Sequence, residues 1–133
     1  MRFSYTRLRE STAPIIPIEV RGRRRWHKVW MYVDSGAYCS ILRPEEAQRL
    51  EVDDLLPQRV DIRTSGGRTV ALKVYRLATR IGTWRGVVTF GVPQGFDIDF
   101  NLLGRKDVFE HFVVSFNDAG RVLTLTPRRR TAS

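Results

Sequence analysis

The chain has 133 residues, 42% of them hydrophobic and 11% aromatic, and a formal net charge of +9. This length suits one domain, and the apolar fraction is enough for a packed core, which excludes a wholly disordered chain. No stretch approaches the roughly 20 apolar residues that span a bilayer, and the polar, basic residues 1–12 are unlike a secretory signal. We therefore expect no membrane span and a cytoplasmic location. Cys39 is the single cysteine, so no disulfide forms within the chain.

The positive charge is concentrated in two places. Residues 21–28 contribute +5 and residues 128–130 contribute +3, which leaves only +1 of the +9 for all the others. We interpret these clusters as a solvated hairpin turn and a charged tail. The alternative is electrostatic attraction to an acidic partner, a nucleic acid or a membrane surface.

The first predicted elements are two strands. Ile16, Ile18 and Val20 recur at a spacing of two, which predicts a strand over residues 14–20 with one buried face. A second strand is predicted over residues 26–33. Its run from Val29 to Val33 lacks polar alternation and predicts burial on both faces, with Trp30 in the core. This strand ends at Asp34.

Further along the chain, proline at a first helical position followed by two glutamates predicts a short helix over residues 44–50. Alternating apolar residues and glycine turns predict the remaining strands. Asp97 and Asp99 are expected on one face of an extended stretch, and Asp53 and Asp54 on the surface. The other expected elements are strands at 60–64, 68–77, 87–92, 113–117 and 122–126, and a second short helix at 105–112.

These elements predict a mostly β protein with a closed, barrel-like sheet and one or two short helices. We expect a flexible N-terminal segment over residues 1–12, a single domain over residues 13–127, and a basic, flexible tail over residues 128–133.

The Asp34-Ser35-Gly36 tripeptide is the first candidate for chemistry. A carboxylate at the end of an apolar strand is costly to bury unless it is paired or functional. The Ser35 hydroxyl can bond the backbone of a tight turn, and Gly36 permits close approach of the main chain. Taken alone, the tripeptide is also compatible with an ordinary turn that ends a strand.

The surrounding sequence resembles the retropepsin-like aspartic proteases over roughly residues 13–127. A strand with prolines at residues 14–20 precedes the signature Val33-Asp34-Ser35-Gly36-Ala37, and a short strand at residues 40–42 follows it. A glycine-tipped hairpin at residues 62–68 falls where the family has its flap. The segment Phe100-Asn101-Leu102-Leu103-Gly104-Arg105 is similar to the family's hydrophobic-hydrophobic-Gly-Arg element.

This resemblance implies an aspartic endopeptidase that is active as a homodimer, with a water molecule activated between two copies of Asp34. It implies a peptide or protein substrate bound as an extended strand under the flap, and neither a cofactor nor a metal. The residues that it assigns are Asp34, Ser35 and Gly36 to catalysis, Ala37, Thr64, Ser65, Gly66 and Gly67 to substrate binding, and Leu103, Gly104 and Arg105 to support of the site.

The chain departs from the family pattern after the triplet. Ser35 stands where many relatives have threonine, and both residues offer a hydroxyl. Tyr38 and Cys39 stand where retroviral members have acids, one of which pairs with the arginine of the Gly-Arg element. Arg105 must therefore have a different partner.

Three other interpretations of the sequence remain open. The fold could serve binding or dimerisation without catalysis. A basic barrel could bind nucleic acid through residues 21–28, Trp26, Trp30 and the arginines of residues 128–130. We disfavour this because Trp30 is expected in the core and because the excess charge is confined to a turn and a tail. A metal pair at Asp97 and Asp99 lacks a nearby histidine or cysteine, and His27 and His111 have no zinc-ligand spacing.

Overall fold

The computed structural model describes residues 1–52, 55, 57–63 and 66–128. The elements in chain order are β1 (Arg2–Ser4), β2 (Thr6–Leu8), β3 (Ser11–Ala13), β4 (Ile15–Arg21), β5 (Trp26–Val33), β6 (Ser40–Ile41), α1 (Pro44–Leu50), β7 (Gln58–Arg63), β8 (Thr69–Ile81), β9 (Trp84–Gln94), β10 (Leu102–Leu103), a 3-10 turn (Phe109–His111), β11 (Phe112–Asn117) and β12 (Val122–Pro127).

The main sheet closes on itself. Its strand order is β4-β5-β10-β6-β9-β8-β7, and β4 also pairs with β8 through Glu19 with Arg80 and Val20 with Thr79. Six strands therefore form a ring, and β7 lies outside the ring as the hairpin partner of β8. The prediction of a mostly β, closed barrel is confirmed.

The core fills the inside of this ring. Alternate residues of β4 and β5 point inward, and the buried set includes Ile16, Ile18, Met31 and Phe90. The prediction that β5 is buried on both faces is wrong, because Trp30 is 48% exposed. Side chains of a strand alternate between two faces. The inward face of β5 is buried in the core, whereas Trp30 on its outward face is exposed to solvent.

The N-terminal segment is ordered, which corrects the prediction of a flexible lead over residues 1–12. β1 pairs antiparallel with β12 in a three-stranded sheet of order β1-β12-β11, and β2 pairs with β3. The amino group of Met1 donates to the Leu125 carbonyl at 2.8 Å, and the Leu125 N–H donates to the Met1 carbonyl at 2.9 Å. Pairing with β12 and packing of Phe3 on the core hold this segment. The predicted flexible tail lies outside the described residues apart from Arg128.

The two helix predictions had different outcomes. α1 spans the predicted residues, with Pro44 at its start and Glu51 ending it in a left-handed conformation. The second predicted helix is wrong, since only a short 3-10 turn forms between residues 105 and 112. Asp107 has a φ of 64°, which interrupts a right-handed helix there. The surface placement predicted for Asp53 and Asp54 concerns residues outside those described.

The strand face predicted for Asp97 and Asp99 is also wrong, because residues 96–101 are irregular. Asp97 instead forms an ion pair with Arg43 at 2.9 Å and accepts the Ile98 N–H at 2.7 Å. The hydrogen bonds from Arg43 and from Ile98 keep the pKa of Asp97 below its usual range. These two contacts anchor the start of the segment that leads into β10.

Candidate active site

Asp34 is the first residue after β5 and marks the point where the chain leaves the core. Val33 is buried and Asp34 is half-buried. The Asp34 N–H donates to the Leu103 carbonyl at 3.0 Å, and the Val33 N–H donates to the Pro14 carbonyl at 2.9 Å. The backbone on which the carboxylate stands is therefore bonded to β10 on one side and, on the other, to the residue that precedes β4.

The turn after Asp34 bonds one of its carboxylate oxygens. Asp34 Oδ1 accepts the Gly36 N–H at 2.8 Å, and the Ala37 N–H donates to the Asp34 carbonyl at 3.2 Å. A Cβ on residue 36 would lie 3.2 Å from Oδ1, which is closer than an ordinary van der Waals contact. Glycine therefore allows the carboxylate to lie this close to the backbone of the turn. Among the described residues, Oδ2 accepts no hydrogen bond, which leaves it open to a group from outside the chain.

The segment 101–106 runs along the triplet and supports it. β10 pairs in parallel with β5, through Leu102 with Tyr32 and Leu103 with Val33, and antiparallel with β6. Beyond β10, the Arg105 N–H donates to the Ala37 carbonyl at 2.9 Å. The structure thus brings the predicted supporting residues Leu103 and Arg105 into direct backbone contact with the predicted catalytic turn.

Gly104 lies where two backbones cross in close contact. A Cβ at this position would lie 2.5 Å from the carbonyl carbon of Cys39 and 2.8 Å from the carbonyl oxygen of Ala37. Its N–H donates at 3.0 Å to the hydroxyl of Ser40, which is fully buried. Ser40 was not among the predicted site residues. Its signal in the sequence was a polar side chain at the start of an apolar strand, since a buried hydroxyl needs a partner.

The partner of Arg105 is an aromatic ring. Its guanidinium carbon lies 5.9 Å from the centroid of the Tyr38 ring, within the range of a cation–π interaction. Both residues are exposed. The Tyr38 ring therefore contacts Arg105 from a position at which retroviral members of the family have an acid.

A second set of contacts that sequence reasoning missed lies just before β10. The Asn101 side-chain oxygen accepts the Arg43 N–H at 2.8 Å, and its amide donates to the Trp30 carbonyl at 3.1 Å. Arg43 Nε donates to the Ile98 carbonyl at 2.9 Å. These contacts join residues 55 or more positions apart in the chain, so local sequence patterns carry no signal for them.

The hairpin of β7 and β8 carries the residues predicted to cover the substrate. The pairing runs from Gln58 with Val74 to Arg63 with Thr69. Gly66 and Gly67 are exposed at its turn, and Gly67 has a φ of 79°. Thr64 and Ser65 lie outside the described residues. No hydrogen bond joins the described part of the tip to the triplet at Asp34.

No metal-binding cluster of three or more His, Cys, Asp or Glu side chains occurs within residues 1–52, 55, 57–63 and 66–128. Burial raises the pKa of the Cys39 thiol, although Lys106 acts in the opposite direction. Over the same part of the chain, no helix has the length and apolar character that crossing a bilayer requires.

A closed barrel in which an Asp-Ser-Gly turn leaves one strand and is supported by a Leu-Gly-Arg segment defines the retropepsin-like class of aspartic proteases. A family model described as aspartyl protease matches residues 16–106, and the chain belongs to this family of peptide-bond hydrolases. It is thus an aspartic-type endopeptidase by class.

Two solved structures are similar to this fold. A retropepsin-like aspartic protease from Rickettsia conorii has a TM-score of 0.67 and 23% identity, over 94% of this chain and 90% of that one. The protease of EIAV complexed with the inhibitor HBY-793 has a TM-score of 0.53 and 17% identity, over 75% of this chain and 88% of that one.

Proposed function

We propose that the active enzyme is a symmetric homodimer in which Asp34 of each subunit contributes one carboxylate to a shared catalytic centre. The observation that carries this proposal is the state of the Asp34 carboxylate. Oδ1 is bonded to the Gly36 N–H, and Oδ2 accepts nothing from the described chain. Each chain has one Asp-Ser-Gly triplet, so a two-carboxylate centre needs a second copy.

The chemistry follows from two carboxylates held close together. They share one proton, because two adjacent negative charges repel each other. The ionised carboxylate takes a proton from water as the water oxygen adds to the carbonyl carbon of the peptide bond. The protonated carboxyl group polarises the peptide carbonyl and then donates its proton to the peptide nitrogen, which leaves as an amine when the C–N bond breaks. The products are a carboxylic acid and an amine, and no cofactor enters the balance.

The remaining predicted residues act around this centre. The Ser35 hydroxyl and the Gly36 backbone brace the pair of carboxylates, and Ala37 lines the pocket next to them. The flap residues Thr64, Ser65, Gly66 and Gly67 close over a peptide or protein substrate that binds as an added strand. Leu103, Gly104 and Arg105 hold the catalytic turn in place from behind. Residues 13–127 form the domain that carries the activity.

The first test is proteolysis by purified protein on a peptide library at mildly acidic pH. We expect cleavage by the wild type and none by Asp34→Asn. Asp99→Asn is the matched control, because Asp99 is an exposed carboxylate outside the site and the change in charge is the same. Equal cleavage by wild type and Asp34→Asn would refute the proposal. A dimer that never cleaves would favour a fold used for binding without catalysis.

The second test addresses the shared site. Asp34→Asn subunits are mixed with an equal amount of wild type well above the dimer dissociation constant. Random exchange leaves a quarter of the dimers with two aspartates, so activity falls to about half of that of the same wild-type protein alone. Activity that is unaffected by the variant subunits would show that a single chain is sufficient.

A further inference from the structure

The outward side of the β4–β5 hairpin has an unusual composition. Trp26, Lys28 and Trp30 alternate along β5 with the buried His27, Val29 and Met31, so their side chains lie on one outer face. We call the surface formed by these three residues and their β4 partners Pro17, Glu19 and Arg21 the Trp30 face.

The two tryptophans of this face differ in what covers them. The Arg80 guanidinium lies 3.8 Å from the centroid of the Trp26 ring and is held by an ion pair with Glu19. Trp30, in contrast, is 48% exposed, and no aromatic ring or cation among the described residues stacks on it. One flat aromatic surface on this face is therefore open to a ligand.

The positive charge identified in the sequence lies at the end of the same face. Arg24 forms an ion pair with Glu51 at 3.1 Å. Arg49 forms an ion pair with Glu46 and also donates a hydrogen bond to the Lys28 carbonyl at 2.7 Å. Within the part of the chain that the structure describes, Arg21, Arg25 and Lys28 have no ion-pair partner. These three exposed cations are therefore free to neutralise an anionic ligand.

A depression of about 240 Å³ lies beside the Trp30 face. Its lining includes Phe3, Pro17, Lys28 and Arg80, and Pro17 is the residue that pairs with Trp30 across the two strands. An open ring, a neighbouring depression lined by apolar and charged side chains, and cations on one surface together match a ligand with flat rings and regularly spaced negative charges.

We propose that the Trp30 face binds single-stranded nucleic acid, with a base stacked on Trp30 and phosphates paired with Arg21, Arg25 and Lys28. Base stacking on aromatic side chains beside a cationic track is how single strands are bound without sequence preference. One of the two reasons to disfavour this function from the sequence is that Trp30 is expected in the core. Its exposure removes that objection, and the binding site is separate from Asp34.

A single strand fits this face better than an anionic membrane. The tip of the hairpin, Arg23 to Arg25, carries only exposed cationic side chains. Trp30 is set back from Trp26 by four residues, about 13 Å along the strand. A bilayer that contacts the tip would leave Trp30 in water. A flexible single-stranded nucleic acid can instead follow the face and contact both the tip and Trp30.

The test is fluorescence anisotropy of a labelled single-stranded oligothymidine titrated with the full chain at several salt concentrations. We expect the logarithm of the affinity to fall linearly with the logarithm of salt concentration. Trp30→Ala should weaken binding about 5- to 150-fold and leave the salt slope unchanged. Arg25→Ala should reduce the salt slope by about 1. Trp30→Phe, which keeps a ring, should fall between wild type and Trp30→Ala and covers the case in which alanine harms folding.

Two control variants match these changes elsewhere. Phe116→Ala removes another exposed ring, and Arg59→Ala removes another exposed arginine; both should bind the oligonucleotide like wild type. Asp34→Asn should also bind like wild type, which separates this proposal from proteolysis. The proposal is overturned if no binding occurs at low salt, if Trp30→Phe and Trp30→Ala both bind like wild type, or if phosphatidylserine vesicles bind more tightly than the oligonucleotide.

Discussion

Replacing Gly104 by alanine tests how tightly the catalytic turn depends on its support. The added Cβ would lie 2.5 Å from the Cys39 carbonyl carbon and 2.8 Å from the Ala37 carbonyl oxygen. Both neighbours are backbone atoms, so no side chain can rotate away. Residues 101–106 must move outward by about 0.5–1 Å to restore ordinary contact distances, and overpacking of this kind costs about 1–3 kcal/mol.

The displacement also acts on hydrogen bonds. The Gly104 N–H bond to Ser40 and the Asp34 N–H bond to Leu103, both 3.0 Å long, lengthen together. A buried polar group that loses its partner costs about 1–3 kcal/mol. We therefore expect Gly104→Ala to lower the free energy of unfolding by about 2–6 kcal/mol and to lower kcat, because the catalytic carboxylate shifts.

Urea unfolding followed by tryptophan fluorescence measures the stability, and a peptide cleavage assay measures kcat. Ser40→Ala isolates the hydrogen-bond part and should lose only about 1–3 kcal/mol. Gly120→Ala is the control, because the three atoms nearest to its added Cβ all belong to the exposed Asn117 side chain, and it should change stability by less than about 1 kcal/mol. If Gly104→Ala unfolds at the same urea concentration as Gly120→Ala, the close backbone contacts at Gly104 do not limit the stability of the fold.

Three further predictions concern charge. Burial is the main cause that lowers the pKa of His27 below its ordinary 6.5, and the nearby Arg25 and Arg49 add to it. Because the unfolded chain then binds a proton more readily than the folded chain, the free energy of unfolding declines as the pH falls below 6.5. Urea titrations between pH 7 and 5 should show a smaller decline for His27→Gln than for the wild type. Burial would raise the pKa of Asp107, but hydrogen bonds from the Thr89 hydroxyl at 2.6 Å and N–H at 2.9 Å outweigh it and lower the pKa. Thr89→Val should therefore lower the free energy of unfolding by about 1–2 kcal/mol at pH 7. In urea titrations at lower pH, this difference from the wild type should shrink as Asp107 becomes protonated. A difference that stays constant with pH contradicts this prediction. For Arg105 and Tyr38, a double-mutant cycle of Arg105→Leu with Tyr38→Ala should give a coupling energy of about 0.5–1 kcal/mol. The same cycle with Tyr38→Phe should give a coupling energy close to zero, because phenylalanine keeps the ring that the guanidinium faces. Zero coupling in the alanine cycle would show that the ring contributes nothing.

The predictions that succeeded rest on local patterns. β5 and α1 begin and end at the predicted residues, because a short apolar run and a proline at the first helical position are signals that act within a few residues. The predictions that failed concern what covers a segment. Trp30 was expected inside because its neighbours are apolar, but whether the outer face of a strand is covered depends on other parts of the chain. The predicted second helix failed because Asp107 turns into the left-handed region and is held by Thr89 on β9.

The sequence by itself determined the mostly β, barrel-like class and the position of Asp34 at the end of β5, because short motifs specify turns and strand ends. The support of that turn by Leu103, Gly104 and Arg105 was implied by the family resemblance. Only the tertiary structure decided that Ser40 accepts the Gly104 N–H, that Tyr38 replaces an acid beside Arg105, and that Trp30 faces outward. Those contacts depend on which strands become neighbours when the sheet closes, and closure is a property of the whole ring.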